Sequence, residues 1–200
     1  MLRWILKYKI LLLVCFSISV YPSLSLAKIG NDSKPTFSDF EKRLFDLIDS
    51  GIEPLSRLDE KLDEESLYNI ALLAEQKLAE NSLALSKVKI PAELPADIKL
   101  SLEIVKEDLS TGFKALEESI NYFAQYLMNR NHLLYDKHIE KRDKGFLYID
   151  GGLTSLTTVR LRLGAPIIIP NDTSKVWKRY FYQLERVIPI KTIPNGERLI

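Results

Sequence analysis

Apolar residues recur at steps of three and four along most of the chain, the spacing of helices that bury one face. Phe37, Phe40, Leu44, Leu47 and Ile48 form the first stripe, with Thr36 or Ser38 placed to cap it and Ser50-Gly51 to end it. Pro54 suits the first turn of a short helix carrying Leu55, Leu58 and Leu62. Asp63-Glu64-Glu65 opens the next one. Asp63 serves as its cap, the acids favour the positive end, and Leu67, Ala71, Ala74, Leu78 and Leu85 form its stripe to about Ser86. Pro91 and Pro95 punctuate the loop that follows.

From Ala96 to about Asn131 there is no proline and only Gly112 among glycines, while Ile98, Leu102, Val105, Leu109, Phe113, Leu116, Ile120, Phe123 and Leu127 keep helical step. Such a helix is about 50–55 Å long. Leu134, His138, Phe146, Ile149, Leu153, Leu156 and Leu163 fit a helix returning along it. Gly145, Gly151 and Gly152 predict breaks in that helix, and Thr157 to Leu163 alternates as a strand would. Beyond it, Ile167-Ile168-Ile169 lies between Pro166 and Pro170 and reads as extended. Thr173 or Ser174 caps a last helix to about Val187, and the tail is irregular. The expected fold is mainly α: an elongated antiparallel helical bundle of three to four long helices, with a small irregular C-terminal α/extended segment.

The N-terminus follows a different logic. Met1 to Lys9 holds Arg3, Lys7 and Lys9 and no acid, an apolar run fills Ile10 to Val20, and the stretch closes on Ser25-Leu26-Ala27. Basic start, short apolar core and small residues before a cut are the layout of a secretory signal. The run is short against the roughly 20 residues of a membrane span. The expected organisation is therefore a cleaved signal peptide over residues 1–27, a linker over 28–35, a helical bundle over 36–163, and over 164–200 an extended segment with a short amphipathic helix. The expected location is extracytoplasmic, a bacterial periplasm or the outside; the alternative is an N-terminal membrane anchor.

Cleavage after Ala27 changes what chemistry is open. The one cysteine, Cys15, leaves with the leader, so disulfides, a thiolate nucleophile and zinc–thiolate ligation leave with it. Basic residues fall from 28 to 25 against 27 acids, which gives no field to attract nucleic acid. At 23.0 kDa the uncut chain is long enough for a real core without such staples. No phosphate-binding glycine loop, His-Glu-x-x-His, Gly-x-Ser-x-Gly or calcium loop is present, and no catalytic residue, metal site or cofactor is expected.

Three clusters are candidates for function. Asp59, Glu60, Asp63, Glu64 and Glu65 concentrate acid at a helix junction, where favouring the next N-terminus outweighs cation binding. Tyr122, Tyr126, His132 and Asp136, beside Tyr135, bring aromatic and metal-ligating side chains to one helix end, a place for a small ligand or metal; packing between helices explains the tyrosines as well. The last helix carries Trp177, Tyr180, Phe181 and Leu184 on one side and Lys175, Lys178, Arg179 and Arg186 on the other. It suits docking on a partner or an anionic membrane surface, or packing on the bundle. The leading expectation is an exported, non-enzymatic helical protein that interacts with an envelope partner or a membrane surface, with Lys175, Trp177, Lys178, Arg179, Tyr180 and Arg186 facing it. The alternative is a bundle that binds a small ligand or metal. On the leading expectation, deleting residues 171–200 abolishes attachment and leaves the bundle folded.

Overall fold

The computed structural model describes residues 36–58, 62–166 and 173–187, and only the backbone of 173–176. The expected leader, linker and Ile167–Ile169 segment, together with Asp59, Glu60, the tail and the Lys175 side chain, lie outside them. Five α-helices and one 3₁₀ turn make up the described chain, with no strand among the described residues: α1 Phe37–Ile52, the turn Glu53–Arg57, α2 Glu64–Ser86, α3 Ala96–Asn129, α4 His132–Arg162 and α5 Thr173–Arg186. The fold is a mainly α helical bundle, as the periodicity predicts.

The helix starts follow capping chemistry. Thr36 and Asp39 form a reciprocal box at α1, with Asp39 N–H donating to Thr36 Oγ1 at 3.2 Å and Thr36 N–H to Asp39 Oδ2 at 2.9 Å. Asp63 caps α2 by accepting from Ser66 N–H at 2.7 Å. These hydrogen bonds hold both carboxyls below the usual aspartate range, the backbone N–H of Ser66 being the largest influence on Asp63. α3 stops where Arg130 takes a left-handed φ of 52°, and Asn131 caps α4.

Pairs across the helices set their directions. Ser82 meets Ser110 and Asn121 donates to Glu75, so residue numbers rise on α3 as they fall on α2. Glu118 pairs with Lys141 at 2.5 Å, and Asp97 with Arg162. α3 and α4 are therefore antiparallel as well. The expected stripe of α3, from Ile98 to Leu127, is buried throughout and forms one apolar core with the stripes of α1, α2, α4 and α5.

Two expectations about glycine are corrected. α1 does not end at Gly51 but runs through it to Ile52. A methyl group on Gly51 would meet Leu78 Cδ2 at 3.1 Å and Asn81 Nδ2 at 3.2 Å, so the missing side chain lets α2 approach. α4 likewise has no break at Gly145, Gly151 or Gly152, and the strand-like alternation at Thr157–Leu163 lies within helix down to Arg162. A Cβ on Gly112 would stand 2.5 Å from Ile149 Cγ1, and one on Gly145 2.6 Å from Leu116. Those glycines seat α3 on α4; the intrinsic cost of about 1 kcal/mol each is outweighed by close packing.

α5 belongs to the same core. Trp177, Phe181 and Leu184 are fully buried. Phe146 of α4 receives Trp177 and Phe181 edge-on, with ring centroids 4.9 and 5.4 Å away. Burying three such side chains contributes on the order of 5–8 kcal/mol before entropy is counted. The described residues all lie in one compact unit. No described helix is long and apolar enough to cross a membrane.

Candidate functional site

α5 is fixed by a polar node as well as by its aromatics. His138, on the apolar stripe of α4, is fully buried and packs against Phe123 and Tyr135. Its Nδ1 lies 3.0 Å from the Ser119 carbonyl, which can only accept, so Nδ1 carries the proton. Ser119 Oγ donates to the His138 carbonyl at 2.9 Å and turns a lone pair to Nδ1 at 2.8 Å. On the other side of the ring, Nε2 stands 3.4 Å from Glu185 Oε1 of α5 and has no hydrogen-bond partner. Arg142 completes the node, donating to Glu185 and to Asp143. Burial alone would raise the Glu185 carboxyl; the cationic Arg142 guanidinium that donates to it opposes burial, and the net direction is downward.

Serine, histidine and glutamate within contact distance have the composition of a nucleophile and its base. The geometry gives them another role. Ser119 is fully buried, and its hydroxyl proton is engaged by the His138 carbonyl. The arrangement cross-braces α3, α4 and α5.

The outer side of α5 is different. Arg179 and Arg186 are exposed, and with Tyr182, Gln183, Val187 and Leu58 they line a groove of about 330 Å³. Tyr182 is 44% exposed, and its ring lies 5.0 Å from the Arg142 guanidinium. Lys178 folds back on Asp150 and over the Phe146 ring. Of the residues expected to face a partner or membrane, Trp177 is therefore in the core, Lys178 is paired and Tyr180 is half-buried. The helix is amphipathic as expected, but its aromatic side is the inner one. Placing Trp177 outward is corrected by Phe146, which supplies the apolar surface that seats it.

The tyrosine end of the bundle is also assembled. Tyr126 packs on Tyr135 and His132, with ring centroids 5.2 and 6.2 Å away, and Lys137 covers the Tyr122 ring at 5.3 Å. Tyr122 and Tyr126 are half-buried; His132 and Asp136 are exposed. Among the described residues no group of three His, Cys, Asp or Glu side chains is placed to hold a metal.

Ser119, Arg142, Glu185, Glu41 and Arg160 are absent from the sequence-based candidates. Glu41 of α1 accepts from Arg160 Nε of α4 at 2.8 Å, and both side chains are buried. The available signal is positional. Glu41 precedes Leu44 by three residues and Arg160 follows Leu156 by four, so each lies on an apolar stripe. A charge there needs a partner.

Comparison with family models finds no match, and neither the curated proteins nor the solved structures contain one that is similar.

Proposed function

We propose that this chain is an exported, non-enzymatic helical protein that works by contact with a partner or membrane surface outside the cytoplasm, presenting the outer side of α5. The observation that carries the reading is the division of α5: Trp177, Phe181 and Leu184 fasten it to the bundle, while Arg179 and Arg186 stay exposed beside a groove. A basic face on a helix already fastened to the bundle needs no folding on contact, which favours recognition of an acidic surface. The basic-apolar leader at residues 1–27 supports the extracytoplasmic setting.

Deleting residues 171–200 is a poor test, because it would strip Trp177 and Phe181 from Phe146. Charge reversal is cleaner. The variant R179E/R186E is expected to keep the melting temperature and lose attachment in the extracytoplasmic fraction of the host. Unchanged attachment would sink the reading.

A further inference from the structure

A second basic surface lies where α2 gives way to α3, away from α5. Lys87, Lys89, Lys99 and Lys106 line one groove of about 690 Å³, with Glu103 as its one acid. Lys87 and Val88 are shared with an adjoining groove of about 460 Å³ that Arg43, Glu80 and Leu83 also line. The acids there are occupied: Glu103 pairs with Lys106 at 3.5 Å, and Glu80 with Lys77 at 2.7 Å.

Arg130, Lys141, Arg142, Arg160, Arg162 and Lys178 each hold a carboxylate. Lys87, Lys89 and Lys99 hold none among the described residues. Other cations also lack a carboxylate partner among the described residues, Lys114, Lys137 and Lys144 among them; what marks Lys87, Lys89 and Lys99 is the groove they share. The helix dipole accounts for Lys87 and Lys89, which follow the negative end of α2. It opposes Lys99, which sits one turn into α3, at the positive end. Three cations that hold no carboxylate among the described residues, one set against a dipole, line one groove of a protein that is otherwise near neutral. Leu83 stands beside them 69% exposed.

We propose that these adjoining grooves dock on an anionic phospholipid surface, with Lys87, Lys89 and Lys99 taking headgroup phosphates and Leu83 entering the interface. The grooves are shallow and open along the surface, which suits a plane of headgroups. Lysine, a compact and flexible point charge, suits phosphates with no fixed spacing. The inference is independent of α5 and holds whether or not that helix meets a partner.

The test is co-sedimentation of the full chain, as recovered from its host, with phosphatidylglycerol-containing vesicles and with pure phosphatidylcholine vesicles. The expected result is binding to the anionic vesicles alone, weakened by salt. Each basic residue near such a surface contributes roughly five-fold, so K87E/K89E/K99E is expected to lose about a hundred-fold or more. The variant K114E/K137E/K144E reverses three other exposed lysines and is expected to bind within about two-fold of the parent. Melting curves identify any variant that has unfolded, and K87Q/K89Q/K99Q then serves in its place. Equal losses in the two triple variants, no loss in the groove variant, or no binding to anionic vesicles at low salt would each overturn the proposal. Binding of soluble inorganic polyphosphate without vesicle binding would overturn the lipid assignment.

Discussion

His138 Nε2 of α4 faces Glu185 Oε1 of α5 across 3.4 Å, inside a node where Arg142 also holds Glu185. Arg142 ties the last helix to α4 there, beside a buried ring that is itself pinned to Ser119 of α3. Exchanging Glu185 for Gln keeps the shape and removes the charge, leaving the Arg142 guanidinium with only the more exposed Asp143 as counter-ion. E185Q is expected to lower stability by about 2–4 kcal/mol. Urea titration followed by Trp177 emission checks this, with loss of the α5 signal at lower denaturant.

Acid should loosen the same contact. The Glu185 carboxyl is held below the ordinary glutamate range in the native state, so its contribution is present above the unfolded value. It is lost as pH falls through the lowered native one. The capping carboxyls Asp39 and Asp63 shift in the same direction. Trp177 emission in wild type should therefore change below the usual carboxylate range, and E185Q should lack the part due to Glu185. Identical acid profiles would count against the node.

Glycine substitutions separate packing from propensity. Gly112 and Gly145 sit in the α3–α4 seam, whereas a Cβ on Gly151 meets nothing within 4 Å. G112A and G145A are expected to destabilise by about 1–3 kcal/mol through overpacking. G151A is expected to stabilise by roughly 0.5–1 kcal/mol, because alanine is the better helix former. Thermal melts of the three variants give the comparison.

The Glu41–Arg160 pair joins α1 to α4 inside the core. Removing one partner by E41L should cost about 3–5 kcal/mol, since it leaves a buried guanidinium uncompensated. The double variant E41L/R160M is expected to recover most of that loss. A double-mutant cycle by urea unfolding tests it; additive effects would mean the pair carries no coupling.

Much of the fold follows from local pattern. The stripes of α2 and α3 map onto buried positions, and Thr36 and Asp63 cap as their chemistry predicts. Local pattern is not enough where the partner surface decides. Gly145 lowers helix propensity in isolation, but Leu116 of α3 needs the space. Trp177 on a basic helix reads equally as an anchor for a membrane or for a core, and Phe146, 31 positions earlier, determines which. Arg160 finds Glu41 across 119 positions, a choice among many acids that periodicity cannot make. The lysines around the α2–α3 groove come from a helix end, a loop and a second helix, and only folding brings them together.

The central claim is that α5 holds its aromatic side in and meets another surface with its basic side. Site-specific photo-crosslinking in the host tests it most directly. A benzophenone side chain is placed at Arg179 or at Arg186, and at exposed Leu73 of α2 as control. The account predicts adducts to protein or lipid from positions 179 and 186 and none from 73. Adducts from 73 alone, or from none of the three, would contradict it.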